Sequence, residues 1–312
     1  MTKISVVVPV LNECSLIGEL IRQIRLNLEL ISSDYEIVIV DDGSEDNTWE
    51  LIEKESRNNQ RIKGLKLSRN FGHHYAITAG LDYANGEWVV VMDGDLQDRP
   101  DIIPSLYNKA LEGFDIVFVA RKARKESKLY LSLQRIYYLT LKLVSGIKFD
   151  HRIANFSIIN RKVVNEFINI KEQLRFYPAT IKWLGFRSTN IGAEHGERFS
   201  GTPSYTFKKR IKLAIDIILA FSERPLKFAI YGGLGISTST ILIGIVILIR
   251  KLLFGVGILG WTSIILSLLF MSGIIITMLG IISLYISKIY NQVKERPLYI
   301  IDKIENSSVK SK

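Results

Sequence analysis

The chain has 312 residues, a formal charge of +10 and 47% hydrophobic residues. That length suits one α/β domain with an appendage, and the positive balance suits an anionic partner, whether nucleic acid, phospholipid or a phosphorylated substrate. Cys14 is the single cysteine, which excludes an intramolecular disulfide and a cysteine-built zinc site.

Apolar runs at Ile4–Val10, Tyr35–Val40, Ile62–Leu67, Trp88–Met92 and Ile116–Ala120 read as strands buried on both faces, which predicts a mainly parallel sheet. Amphipathic stretches at Leu16–Leu30, Thr48–Asn58, His73–Ala84 and Ile102–Glu112 predict the intervening helices, with Gly86 and Gly113 as stops. No basic leader with a cleavable apolar segment precedes the first strand. The alternation predicts a doubly wound nucleotide-binding sheet.

Residues 122–149 then turn basic and helical, and 150–204 read as irregular. A basic amphipathic segment at 207–221 suits a helix lying along lipid headgroups. Phe228–Ile249 and Thr262–Ile286 carry no charged residue, and each exceeds the roughly 20 residues that cross a bilayer as a helix. Two transmembrane helices are expected. Lys208, Lys209, Arg210, Lys212, Arg224 and Lys227 precede them and Lys288, Lys294, Arg296 and Lys303 follow, against only Arg250 and Lys251 between, so both termini should face the cytoplasm. The tail beyond Arg296 and Pro297 is polar, and its Ser/Lys-rich end reads as disordered. The expected division is a catalytic domain at 1–206, a juxtamembrane helix at 207–227, a two-helix membrane region at 228–290 and a tail at 291–312.

Ligands of doubly wound sheets sit at the carboxyl ends of the strands, which singles out Asp41-Asp42-Gly43-Ser44, Ser68-Arg69-Asn70-Phe71-Gly72 and Asp93-Gly94-Asp95-Leu96-Gln97-Asp98. Neither a dinucleotide-binding glycine turn nor a Gly-Lys-Ser/Thr phosphate loop occurs. Asp93-x-Asp95-x-Gln97 after an apolar strand can offer oxygens to Mg²⁺ or Mn²⁺, although acidic residues of this kind also cap helices, as Asp98 or Asp101 could before Pro100. Asp41 and Asp42 end a second strand and could hold the base and ribose of a nucleotide. Their competing role is turn formation with Gly43, with Ser44 or Asp46 capping the next helix.

With these residues in place, the sequence resembles glycosyltransferase family two, of the A-type fold, and within it the polyprenyl-phosphate glycosyltransferases. The resemblance rests on VVVPVLNE (6–13), IVDDGSEDNT (39–48), LSRNFGHHYAITAGLDYANGE (67–87), VMDGDLQDRP (91–100), Arg121 and ERFSGTPSY (197–205). It implies donor contacts by Pro9, Asn12, Glu13, Asp41, Asp42 and Arg69, with Asp93 beside the ribose or the metal and Asp95 and Gln97 on the metal. It also implies phosphate or acceptor contacts by Arg121 and Arg198, with Ser204 nearby, and it places Asp150 and His151 near the acceptor. Asp95 and Asp150 are the candidate catalytic residues. The implied reaction is inverting transfer of one sugar from a nucleotide sugar, of the UDP-glucose or GDP-mannose type, to polyprenyl phosphate at a bacterial plasma membrane. Self-association through the spans is known among such enzymes. One departure is that the Phe-Arg-Leu motif of many members reads Phe156-Ser157-Ile158 here.

A processive polysaccharide synthase would need a Gln-x-x-Arg-Trp motif and further spans, and neither occurs. A family-two enzyme acting on a sugar hydroxyl is the alternative. A membrane adaptor or nucleic-acid module is disfavoured, because the basic residues cluster beside the spans, where lipid headgroups account for them.

Overall fold

A computed structural model describes residues 3–121, 153–173, 175–193, 224–254 and 260–306. The elements are β1 (Ile4–Val10), α1 (Ile17–Glu29), β2 (Tyr35–Asp41), α2 (Thr48–Asn58), β3 (Ile62–Leu67), α3 (His73–Tyr83), β4 (Trp88–Val91), a 3₁₀ turn (Pro100–Ile102), α4 (Ile103–Leu111) and β5 (Ile116–Arg121). They continue with β6 (Ile153–Asn160), α5 (Arg161–Asn169), α6 (Tyr177–Trp183), β7 (Ser188–Ala193), α7 (Arg224–Phe254), α8 (Trp261–Val293) and β8 (Ile301–Glu305). The described residues fall into two compact units, one holding the sheet and its helices with residues 296–306, the other holding α7 and α8.

One eight-stranded sheet runs in the order β7-β5-β6-β4-β1-β2-β3-β8. β3, β2, β1 and β4 are parallel neighbours, whereas β6 is antiparallel to β4 and β5, and β8 is antiparallel to β3. The sheet is therefore mixed but mainly parallel, as expected: β6 and β8 alone run against the other six strands. Side-chain alternation along β1 feeds two cores. Ile4, Val6, Val8 and Val10 meet α1, α2 and α4, while Val7 faces α3, α5 and α6 across the other face. Helix α1 buries Ile17, Leu20, Ile21, Ile24 and Leu28, a spacing that lays one apolar stripe on the sheet. Helix α3 instead buries small residues, Ala76, Ala79 and Gly80, which lets it approach closely.

Two expectations need correction, and one strand was not anticipated; the Ser/Lys-rich end of the tail lies outside the described residues. Within 153–193 the described residues form β6, α5, α6 and β7, where the sequence read as irregular. Both strands carry polar residues, Asn155 and Ser157 in β6 and Ser188, Thr189 and Asn190 in β7, which breaks the apolar run that marks a parallel core strand. The tail also re-enters the sheet as β8, an edge strand whose Asp302 and Lys303 are exposed. The proposed caps are absent too: no side-chain cap precedes the Pro100 turn, where Asp98 instead accepts from the Asp93 amide and Asp101 pairs with Arg99.

In the second unit, α7 and α8 expose large apolar residues such as Ile241, Leu242, Ile275, Ile276 and Leu279. Among the described residues one helical segment, Phe270–Val293, is long and apolar enough to cross a membrane, and Ile230–Val246 is a shorter apolar stretch.

A Cβ at Gly80 would sit 2.3 Å from Val7 Cγ1 and 3.1 Å from Val40 Cγ2. Alanine would gain about 1 kcal/mol of helix propensity, but overpacking typically costs about 1–3 kcal/mol. Gly80→Ala should lower the thermal unfolding midpoint of the detergent-solubilised protein. A higher midpoint would refute the close seating of α3 on β1 and β2.

Candidate functional site

Because β1 to β4 run parallel, the loops after all four leave from one rim of the sheet. β5 runs the same way, since both it and β4 are antiparallel to β6, and this brings Arg121 to that rim by its backbone. Pro9 is buried within β1, and Asn12 and Glu13 follow it. The Asn12 amide donates to Ser44 Oγ at 2.9 Å and the Glu45 amide donates to Asn12 Oδ1 at 2.9 Å, while the Glu13 amide donates to Thr48 Oγ1 at 3.0 Å. Asn12 holds a left-handed conformation with φ 55°, as its short polar side chain permits. The β1 and β2 loops are thereby stitched together.

Asp41 and Asp42 have different work. Asp41 is fully buried; its Oδ1 accepts from the Ser44 amide at 2.9 Å, and its Oδ2 has no hydrogen-bond partner. An enclosed acceptor left unpaired costs about 1–3 kcal/mol. Asp42 accepts from the Phe71 amide at 2.8 Å and the Gly72 amide at 3.0 Å, so it secures the loop that opens α3. Burial raises its pKa, the two amides act against that rise, and the net shift is upward. Gly43, at φ 75°, must be glycine, because a Cβ there would lie 2.5 Å from the Arg69 carbonyl carbon. Arg69 itself is exposed and stacks on Phe71, 4.0 Å from the ring centre.

After β4, Gly94 allows the loop to cross β1, since a Cβ would meet Val10 Cγ1 at 2.6 Å. Leu96 is left-handed with φ 59°, a conformation that costs a side-chain-bearing residue about 1–2 kcal/mol, and its burial in the core holds the turn in place. Within that turn the Gln97 amide donates to Asp95 Oδ1 at 3.0 Å. Among the described residues no group of three or more His, Cys, Asp or Glu side chains could enclose a metal ion. Asp95 and Gln97 could supply oxygens to a hard cation only if a substrate's phosphates completed its shell, which is how Mg²⁺ commonly binds.

Two further residues at the rim escaped the sequence reading. His73, the first residue of α3, places Nε2 3.1 Å from Asp93 Oδ1, and Asn155 Nδ2 lies 3.2 Å from the same oxygen. Burial opposes charge on His73, but the hydrogen bond and charge of Asp93, with Asp42 and Asp98, outweigh it and raise the pKa. His73 follows a strand-end loop directly, which was its available signal. Asn155 had none from a strand of unknown direction, because only the antiparallel register, with Val91 opposite Ser157, brings it level with Asp93. Ser157, in place of the family's usual arginine, is fully buried and shares a 2.8 Å hydrogen bond with Tyr177 Oη. Asp150, His151, Arg198 and Ser204 lie outside the described residues, as does the side chain of Arg121.

The rim of parallel-strand loops thus gathers two acidic clusters and an enclosed carboxylate acceptor. Residues 5–168 match the family described as "Glycosyl transferase family 2", and the chain belongs to that family, as a glycosyltransferase. It is 38% identical over 306 residues to the Bacillus subtilis (strain 168) protein named "Uncharacterized glycosyltransferase YkcC", covering 97% of this chain and 95% of that one. It is 33% identical over 302 residues to the SfII prophage-derived bactoprenol glucosyl transferase of Shigella flexneri, covering 96% and 98%. A prophage bactoprenol glucosyl transferase homolog of Escherichia coli (strain K12) is 31% identical over 304 residues, covering 97% and 99%.

His74 points the other way from His73. Burial and the neighbouring His73 lower its pKa from 6.5 to about 3, so it is neutral in the fold and takes up a proton on unfolding below about pH 6.5. Native stability should therefore fall as pH drops from 6.5 towards 3. His74→Gln should reduce that slope in denaturant titrations at pH 4.5 to 7, and equal slopes would show that His74 is not buried neutral.

Proposed function

We propose that the protein transfers one sugar from a nucleotide-sugar donor to polyprenyl phosphate at the cytoplasmic face of a bacterial plasma membrane, as an A-type inverting glycosyltransferase. The observation that carries this reading is the joining of the Asp41-Asp42 and Asp93-x-Asp95-x-Gln97 loops at one rim, with Asp41 Oδ2 enclosed and unpaired. Asp41 suits an N–H or hydroxyl of the nucleoside, and Arg69, Asn12 and Glu13 flank it. Asp95 and Gln97 would hold Mg²⁺ or Mn²⁺ against the donor diphosphate, where the ion supplies charge neutralisation. Relatives aligned over nearly their whole length carry the name bactoprenol glucosyl transferase, which supports the lipid acceptor.

The acceptor needs little help to react. A phosphate monoester has its second pKa near 6, so at neutral pH the attacking oxygen is largely ionised. That oxygen forms a bond to the anomeric carbon as the bond from that carbon to the diphosphate breaks, and the departing nucleoside diphosphate carries the electron pair. Positioning then contributes more than a general base. Arg121, Arg198 and Ser204 are assigned to the acceptor phosphate, and Asp150 is its candidate neighbour.

Both α7 and α8 are proposed to cross the membrane. Residues 3–121 and β8 belong to one sheet, so the chain between them must cross an even number of times. Phe270–Val293 alone would strand β8 on the far side. Helix α7, with 31 residues and the apolar stretch Ile230–Val246, is the partner crossing. In a Cys14→Ser background, cysteines at Ser44 and Ser307 should resist an impermeant reagent in intact cells, and one at Gly257 should react. Labelling of Ser307→Cys from outside would refute the paired crossing.

Incubating the purified chain with UDP-glucose or GDP-mannose, short-chain polyprenyl phosphate and Mn²⁺ should move labelled sugar into the lipid fraction. Removing a residue behind a metal ligand typically costs about 10–100-fold, so losing a ligand in Asp95→Ala should cost about 100-fold or more, as should excess EDTA. Transfer to a sugar hydroxyl with none to lipid phosphate would favour the alternative acceptor.

A further inference from the structure

We infer that His73 and Asn155 are positioning residues that fix the carboxylate of Asp93 for the nucleotide sugar. This rests on the donor site proposed above and adds two residues to it.

His73 Nε2 and Asn155 Nδ2 lie 2.9 Å apart, and both face Asp93 Oδ1, at 3.1 and 3.2 Å. A hydrogen bond between the two nitrogens would require Nε2 as an acceptor, which would turn a lone pair towards the carboxylate. The consistent arrangement has Nε2–H and Nδ2–H both donating to Oδ1, so that the short N···N separation is two donors converging on one oxygen. The two donors approach that oxygen side by side. The carboxylate is held in one rotamer, and Oδ2 is the atom turned to other partners.

The donors come from two different elements and are themselves fixed. His73 begins α3, whose preceding amides at Phe71 and Gly72 are gripped by Asp42. Its ring packs edge-on against His74, with centroids 5.5 Å apart, and His74 packs edge-on against Phe176 at 4.9 Å. Asn155 stands on β6, paired to β4 in antiparallel register. From below, the Asp93 amide donates to Asp98 Oδ2 at 3.0 Å. A carboxylate constrained from β6, α3 and its own loop has lost its rotational freedom before a ligand arrives, which is how preorganisation raises affinity.

The test compares binding of UDP and GDP with Mn²⁺, by calorimetry, with steady-state kinetics. His73→Ala and Asn155→Ala should each weaken nucleotide binding by about 10-fold, the lower end expected for a hydrogen bond to a charged group, and raise KM for the nucleotide sugar while leaving KM for polyprenyl phosphate unchanged. Asn155→Asp keeps the shape but replaces a donor with an acceptor beside Asp93. It should bind nucleotide no better than Asn155→Ala, whereas a packing role would leave it near the unaltered protein. In an Asp93→Ala background, His73→Ala should cause no further loss, because its effect runs through that carboxylate. Normal binding in both alanine variants, or full additivity with Asp93→Ala, would overturn the inference while the donor site stands. Failure of the unaltered chain to bind either nucleotide would overturn both. If Asn155→Ala does not fold, the isosteric Asn155→Asp and His73→Gln decide the question by the same measurements.

Discussion

Asp42 is an expensive residue to keep. Its carboxylate is buried 3% exposed at the end of β2, and burial raises its pKa. The compensation comes from the amides of Phe71 and Gly72, the donors at the mouth of α3, where the helix's own N–H groups lack partners and favour negative charge. That exchange sets the position of α3 at the rim. From it follow the placing of His73, the hold on Asp93 and, through Asn155, the junction with the antiparallel part of the sheet. The hydrogen-bonded path thus runs from β2 through α3 to β4 and β6, joining loops that no single strand could align.

The same path explains which residues could be read from the sequence. Parallel strands buried on both faces announce themselves: β1 and β3 begin and end at the expected residues, as does α2 between them. The acidic loops were visible because strand ends in such a sheet are where ligands bind. What stayed hidden were features that depend on pairing. Asn155 in β6 looks like an interruption until register sets it level with Asp93, and Ser157 looks like a lost arginine until Tyr177 is found beside it. β7 and β8 are edge strands, paired on one side only, so their polar residues give a weak apolar signal. His73 was in plain view, but nothing in a linear sequence says that the start of α3 faces the end of β4.

The return of the tail bears on the helix that carries His73. Tyr299 is buried and its hydroxyl bonds Asp82 on α3, while Gln173 donates to the Arg296 carbonyl and accepts from Tyr75, also on α3, through its own carbonyl. The helix that carries His73 is therefore held at its far end by Tyr299 and near its start, through Gln173, by the backbone of Arg296. Loss of the tail would leave β3 as an open edge and expose unpaired backbone groups, a recognised route to aggregation.

Charge balance at the rim leads to the remaining step. Asp41, Asp42, Asp93, Asp95 and Asp98 gather there, with Arg69 and His73 as the basic side chains described among them. A donor diphosphate and an acceptor phosphate would bring more negative charge. Two unit charges about 4 Å apart interact by about 4 kcal/mol at an effective dielectric constant near 20, so an uncompensated rim of this composition would repel both substrates. Compensation has to arrive with the substrates or from the chain. In the proposed reaction a divalent cation carried in with the nucleotide would meet the first need at Asp95 and Gln97, and arginines would meet the second, because a planar guanidinium matches phosphate oxygens in pairs. On this balance the acidic loops and the overall charge of +10 are complementary under the proposed reaction: the carboxylates would select a metal-bound nucleotide, and the excess of basic residues would serve the lipid phosphate and the anionic surface in which it lies.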